Sequence, residues 1–367
     1  MRRILFFADA SSVHTRRWVQ AIAAQGFDCI VATRRPAEVP GASEVISVRP
    51  GSDALGWFAA LPEVRRLARR LAPQWVHGHY VTSYGLWAAA SGLGPQVPVV
   101  LTAWGSDILL TPRQAGWHGR LMAAVVGRSL RRAALVTADS QDVLAEVRGY
   151  GTPAACEEVL WGADTGHFCP AEPAPGFGIV SLRNWEPNYN IDTLLDAFAQ
   201  LLARRPDAGL RLELLGGGPD EAALRGQAAR LGLGETVRFT GRVGDAAMVA
   251  AIQAARVSVT VPTSDATSVS LLESLACGLP VVATDLPANR AWVDAAQRVP
   301  VRDAPALAEA LVRLVDDPAL RQALGQRNRA LALQRASRQA QMAHMARLYE
   351  GLRPDLPRPV CAAVSKP

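Results

Sequence analysis

Between Val257 and Asp285 the chain reads VSVTVPTSDATSVSLLESLACGLPVVATD. The β-branched run Val257–Val261 predicts a buried strand. Pro262–Ser268 is a turn-rich loop, and Val269–Cys277 has an apolar helical period stopped by Gly278 and Pro280. Val281–Ala283 predicts the next strand. A strand, a loop, a helix and a further strand form the unit of a wound parallel α/β sheet, which constrains the fold more than any other stretch. In such a unit the loop lies at the carboxyl end of its strand, where open sheets bind ligands, and the helix start offers N–H groups to an anion. Ser268 and Ser270 flank that start, placed to cap it or to bond a ligand oxygen. Asp265 sits on the loop. Glu273 sits inside the helix among Leu271, Leu272 and Leu275, where a carboxylate needs a partner that a polyol would supply. A structural helix carrying one salt-bridged glutamate fits the same pattern.

The rest of the chain repeats the alternation. Arg3–Ala8, Cys29–Thr33, Glu44–Val48, Trp75–Gly78, Val97–Thr102 and Leu135–Ala138 predict strands, with helices to about Gln25, over Leu61–Leu71, through Ala90 and over Leu121–Arg132. Their carboxyl ends gather Ser11, Ser12 and His14; His79, Tyr80 and Thr82; Trp104, Gly105, Ser106 and Asp107; and Asp139 and Ser140. The Gly- and Pro-rich stretch EEVLWGADTGHFCPAEPAPGFGIVSLRNW reads as a linker. Beyond it Gly178–Leu182, Arg211–Leu215, Val237–Thr240 and a short run near Arg298–Val301 predict strands. Asp192–Arg204, Ala304–Asp316, Pro318–Leu333 and Ser337–Gly351 predict helices. The expected architecture is α/β, with two Rossmann-like doubly wound domains facing a central cleft. Residues 1–165 form one domain and 166–336 the other, and a helix over about 337–355 packs back on the first. The closing RPDLPRPVCAAVSKP reads as a loose tail.

Composition narrows the class. The apolar run ILFFA is too short for a signal peptide's core and no run is long enough to span a membrane, so a cytoplasmic location is expected. The five cysteines show no CxxC spacing, which argues against a metal site or a disulfide framework. The net charge is +6, and Lys366 is the only lysine. Any phosphate contact made by a cationic side chain therefore falls to arginine. Between Trp57 and Arg132 nine arginines stand against Glu63 and Asp107, mostly in PEVRRLARRLA and HGRLMAAVVGRSLRRAA. Solvated helix faces and attraction to an anionic lipid or acceptor are both consistent with this, so a peripheral contact at the inner membrane face is an expectation. Aromatics are not interleaved with the basic runs, which disfavours nucleic acid.

LTAWGSD, VLWGADTGHFCP, SLRNWEPNYNIDTLLDAFAQL, LELLGGGPDE, VRFTGRV and SDATSVSLLESLACGLPVVATD occur in an order and spacing that resemble the retaining glycosyltransferases of family four, which have the GT-B fold. The resemblance covers nearly the whole chain. It implies a hexosyltransferase that moves a sugar from a nucleotide-diphosphate sugar (UDP- or GDP-sugar) to an acceptor hydroxyl in polysaccharide or glycolipid synthesis, with no cofactor; no DxD-like motif stands where a cation would be needed, so metal independence is expected. By the same resemblance Glu273 binds the ribose hydroxyls, Asp265 the donor sugar and Arg183 the diphosphate. The N–H groups of Thr267, Ser268, Val269 and Ser270 face the diphosphate or sugar. Gly216 and Gly217 allow close approach, and Arg242 and Val243 frame the base. Ser12, His14, His79, Trp104, Gly105 and Asp107 belong to the acceptor or sugar side.

Four positions depart from the family pattern. Asp265 replaces the usual Glu, Trp104 stands where His is frequent, Asn188–Asn190 occupies the region of a customary Lys, and SSVHTRR stands in place of the Gly-Gly pair frequent after the first strand, where His14 or Arg16 would serve a phosphate or simply open the helix. Other readings follow from the same residues. A non-catalytic nucleotide-sugar-binding protein or a GT-B epimerase would share the site. A glycoside hydrolase would use Asp265 and Glu273 as a carboxylate pair. An NAD-dependent oxidoreductase would want GxGxxG after the first strand, where DASSVHT stands.

Overall fold

The computed structural model describes residues 2–49, 54–353 and 355; the proline-rich tail and Cys361 lie outside them. The chain divides into two compact units. The first runs to Trp161 and resumes at Gln339, and the second is Gly162–Arg338.

The first unit contains β1 (Arg3–Phe7), α1 (Val13–Ala23), β2 (Asp28–Thr33), β3 (Ala42–Ser47), α2 (Ala54–Ala59), α3 (Leu61–Leu71), β4 (Trp75–His79), α4 (Gly85–Ala89), β5 (Val99–Ala103), α5 (Ser106–Leu109), α6 (Trp117–Arg132), β6 (Leu135–Ala138), α7 (Gln141–Gly149) and β7 (Ala155–Glu158). The strands form one sheet, parallel throughout, in the order β3-β2-β1-β4-β5-β6-β7. The inner strands are buried on both faces, so they carry continuous apolar runs such as ILFF in β1 and VVLTA in β5. The two faces of β4 serve different layers. Trp75, His77 and His79 point one way. Gly78 points the other, where an added Cβ would lie 2.9 Å from the Ala88 Cβ of α4. The Trp87 indole of α4 donates to Trp57 O of α2 at 2.9 Å, and Arg65 Nε of α3 donates to Ala90 O at 3.1 Å, so α2, α3 and α4 share a layer. The second of these bonds ties α3 to the C-terminal end of α4. Right-handed crossovers put α6 in that layer too.

The second unit contains β8 (Phe177–Ser181), α8 (Ile191–Arg204), β9 (Leu210–Leu215), α9 (Glu221–Arg230), β10 (Val237–Gly241), α10 (Asp245–Ala254), β11 (Val257–Thr260), α11 (Val269–Ala276), β12 (Val281–Thr284), α12 (Pro287–Arg290), β13 (Arg298–Val299), α13 (Ala304–Asp316) and α14 (Pro318–Arg335). Its sheet, also parallel, has the order β10-β9-β8-β11-β12-β13. Phe198 and Leu201 of α8, Leu212 and Leu214 of β9, Val257 and Val259 of β11, and Leu307 and Leu311 of α13 form its core. A last helix, α15 (Arg338–Leu352), returns to the first unit. There Trp75 Nε1 donates to Tyr349 O at 2.7 Å, and the Tyr349 hydroxyl meets His77 Nδ1 at 2.5 Å.

Three local expectations differ from the structure. The chain reaches the connection between units only after β7, an edge strand of alternating exposure whose second half falls in the polar start of the expected linker. The stretch Tyr80–Tyr84, expected as loop, forms a π-helical turn entered through Tyr80 at φ 70°. Helix α6 begins at Trp117, a turn before the expected Leu121.

Candidate active site

In each sheet the strand order reverses at one place. There the loops after adjacent strands separate and open a crevice. In the second unit the reversal lies between β8 and β11, so the loop carrying Arg183 meets the loop carrying Asp265 and the start of α11. Arg183 is buried. One terminal nitrogen donates to Ser268 Oγ and, at 3.2 Å, to Ser270 Oγ; the other donates to Asp265 Oδ2 at 2.6 Å. The guanidinium lies over the Tyr189 ring, 4.4 Å from its centroid. Its Nε, also buried, has no hydrogen-bond partner among the described residues. Burial pushes the Asp265 carboxyl above its ordinary value, against the pull of Arg183, and its second oxygen accepts from Ala266 N at 3.1 Å.

Ser268 is the N-cap of α11, its Oγ accepting from Leu271 N at 3.4 Å. Thr267 and Ser268 are buried, and Val269 and Ser270 half-buried, around the first turn. Glu273 is buried one turn after Ser270 on the same side of the helix. The site thus gathers Arg183, Asp265, Ser268 and Ser270 by direct contact.

The glycine loop after β9 has a structural explanation that local reading missed. A Cβ on Gly216 would stand 2.2 Å from Arg183 O, and one on Gly218 would stand 2.2 Å from Trp185 O. The close approach is therefore to the arginine loop itself. Trp185 N donates to Gly217 O at 3.2 Å, and Asp220 N donates to Trp185 O at 3.1 Å. Arg242 is exposed with its side chain beside Gly217, and Val243 is half-buried behind it.

Asn188 and Asn190, in the region of the absent lysine, are fasteners. Asn188 Nδ2 donates to Ser264 O at 2.9 Å while its Oδ1 accepts from Ser264 N at 3.2 Å. Asn190, left-handed at φ 49°, donates to Val261 O at 2.8 Å and accepts from Arg302 Nε at 2.9 Å. They lock the two crevice loops together. Tyr189 between them supplies the ring under Arg183. The NYN triplet is visible in sequence, but its partners lie more than seventy residues away.

In the first unit the reversal lies between β1 and β4. Ser12, the N-cap of α1, and His14 follow β1; His79 ends β4; Trp104, Gly105 and Asp107 follow β5. An aromatic cluster fills this rim. Trp104 lies 3.7 Å from Trp161 and 4.9 Å from Tyr80 by ring centroids, and His14 lies 4.9 Å from Trp161. His79 Nε2 and Trp104 Nε1 are buried without a hydrogen-bond partner among the described residues. Burial, with help from His14, pushes the His79 imidazole down to about 3, so it is neutral at ordinary pH. Gly105 turns at φ 93° to start α5. Asp107 accepts from Val81 N at 2.6 Å and Trp104 N at 2.9 Å, pinning two rim loops; burial raises its carboxyl to about 6.

Comparison with known proteins gives a consistent family. A model described as glycosyl transferase 4-like matches residues 3–140, and one described as glycosyl transferases group 1 matches residues 175–317. The chain is 29% identical over 255 residues to a phosphatidyl-myo-inositol mannosyltransferase of Mycobacterium leprae, covering 67% of this chain and 65% of that one. The match therefore spans somewhat less than two thirds of that relative. Sucrose-phosphate synthase from Thermosynechococcus elongatus superposes with a TM-score of 0.82 at 20% identity, over 97% of this chain and 100% of that one. Anabaena Alr3699/HepE, solved in complex with UDP-glucose, gives a TM-score of 0.78 at 18% identity, over 95% and 99%.

Proposed function

Because the chain belongs to family four of the glycosyltransferases, with the GT-B fold, we propose that it moves a hexose from a nucleotide-diphosphate sugar to an acceptor hydroxyl with retention. The observation that carries this reading is the Arg183 guanidinium: buried, held on three sides by Asp265, Ser268 and Ser270 and by the Tyr189 ring, with Nε uncommitted beside a helix start. A fixed cation next to the N–H groups of Val269 and Ser270 suits the charge that develops on a leaving diphosphate. Asp265 passes from Arg183 to hydroxyls of the donor sugar when the phosphate arrives. Glu273 accepts from the ribose hydroxyls. Gly216, Gly217, Arg242 and Val243 border the base. As the anomeric carbon–oxygen bond breaks, the acceptor oxygen attacks from the same face and its proton passes to the leaving phosphate oxygen. No protein nucleophile and no metal take part, so turnover persists in EDTA.

The sequence relatives' names favour a mannosyl donor and a lipid-linked acceptor of the phosphatidylinositol type. The acceptor side is assigned to the rim of Ser12, His14, His79, Trp104 and Gly105. Thermal-shift titration with UDP-, GDP-, ADP- and dTDP-hexoses, wild type beside Glu273→Ala, tests the reading. One donor that stabilises only the wild type supports it, and no stabilisation by any donor overturns it. The ion pair between Arg183 and Asp265 also suits a second reading, a nucleotide-sugar binder without turnover. Affinity without sugar transfer or donor hydrolysis would select that one.

A further inference from the structure

The outer face of one helical layer of the first unit combines two features that seldom share a solvated surface. The first is charge. Arg65, Arg66, Arg69 and Arg70 of α3, and Arg120, Arg128, Arg131 and Arg132 of α6, are all exposed. The acids near them are few. Glu63 faces Arg49 at 3.6 Å, and Glu146 of α7 holds Arg113 at 2.6 Å. The second feature is apolar. Trp117, the first residue of α6, is 74% exposed, and Leu110, at the end of the α5 turn, is 51% exposed. The segment between them is anchored: a Cβ on Gly119 would collide with Gln114 O at 1.9 Å, so the loop lies directly on the helix. The helical period puts Trp117, Leu121, Ala124, Arg128 and Arg131 on one stripe of α6, with the aromatic at one end and two arginines at the other. Because α6 runs back from the carboxyl end of β5, Trp117 and Leu110 stand at the same rim as Trp104 and Asp107.

We infer that this face docks on an anionic lipid bilayer. The arginines of α3 and α6 would lie against the headgroups, and Trp117 and Leu110 would enter the interface. Charge complementarity selects an anionic surface, and the exposed indole and leucine beside the arginines select a bilayer over a soluble polyanion. Tryptophan favours the headgroup level because one end of the ring is apolar and the other donates a hydrogen bond. Long-range attraction from the arginines brings the surface down and is screened by salt. The orientation sets the candidate acceptor rim at the bilayer. The inference uses none of the donor-site residues and stands apart from the donor assignment.

The test is flotation of the full chain with phosphatidylcholine vesicles, with and without phosphatidylglycerol. The wild type is expected to float only with the anionic vesicles at low salt and to be released at high salt. Trp117→Ala should weaken binding about fivefold. The triple variant Arg120→Gln, Arg128→Gln, Arg131→Gln should weaken it at least about tenfold. All these side chains are exposed, so melting temperature and donor binding should match the wild type. The difference in tryptophan emission between wild type and Trp117→Phe should shift to the blue on vesicle binding. Failure of the wild type to float with anionic vesicles at low salt would overturn the inference, as would flotation unchanged in both variants. Heparin or RNA binding as tight as vesicle binding and indifferent to Trp117→Ala would reassign the face to a soluble polyanion.

Discussion

Asp265 occupies the guanidinium that the proposed donor's diphosphate would need, so two interactions compete for Arg183. Asp265→Asn should therefore raise affinity for a free nucleoside diphosphate by roughly threefold, because it removes the charged competitor from a mostly buried ion pair. It should also lower sugar transfer by about a hundredfold, because the charged contact to the donor sugar is lost. Calorimetry with the diphosphate alone and a transfer assay separate the two effects; weaker diphosphate binding would show that Asp265 positions Arg183 and does not compete with its ligand. Tyr189 offers a cleaner substitution. Tyr189→Phe keeps the ring under the guanidinium and should bind donor like the wild type. Tyr189→Leu should lose about 1 kcal/mol, a fivefold rise in Kd. Asp265, Glu273 and the two serines were legible as a pattern, since residue type and spacing at a helix start carry the chemistry, whereas Arg183 was placed only by the family resemblance. The roles of Asn188, Tyr189 and Asn190 were not. Their partners become neighbours only because β8 pairs with β11, which no local window contains.

At the scale of elements, the glycine loop after β9 and the arginine loop after β8 form one packed unit. Gly216→Ala or Gly218→Ala puts a methyl against a backbone oxygen, and neither side can yield without moving Arg183 or Trp185. Each should destabilise by about 2 kcal/mol and weaken donor binding in the same variant, read by melting and by titration. Strand β4 makes a pH prediction. Burial depresses both His77 and His79, so the folded state resists protonation that the unfolded chain accepts. Their stabilisation is complete above the unfolded value near 6.5 and is lost as pH falls toward the folded value of His79, about 3. Asp107, raised to about 6, acts in the opposite sense: it favours the folded state as pH falls through 6, offsetting part of the loss. Melting temperature should fall between pH 6.5 and 4, with a shallower slope in His79→Gln. Regular elements were the legible part of the fold. The runs expected at Leu61–Leu71, Leu135–Ala138 and Ala304–Asp316 are α3, β6 and α13 to the residue. Edge strand β7 and the turn at Tyr80–Tyr84 escaped, because half-exposed edges carry little apolar signal and Tyr80's backbone is dictated by its surroundings.

For the whole molecule, the first unit is assembled from two distant parts of the chain. Helix α15 covers the face of β4 that carries Trp75 and His77, and the Tyr349 hydroxyl is the partner of His77 Nδ1. Tyr349→Phe would leave that buried nitrogen without its bond and should cost about 1–3 kcal/mol, seen as a lower melting temperature. Removing the chain from Gln339 onward would uncover the Trp75 end of this face and leave Trp18 of α1 on its His77–His79 end, and an early, separate unfolding step of the first unit is expected in calorimetry. A consequence for biosynthesis follows. The N-terminal half leaves the ribosome first, yet its sheet cannot be closed until the last helix has been made, after all of the second unit. During that interval Phe27, Trp75 and the Nδ1 edge of His77 lack the Tyr349 that packs against them. The nascent first half is then a client for chaperones, and a message cut short before α15 yields a protein whose second unit has every residue it needs and whose first does not.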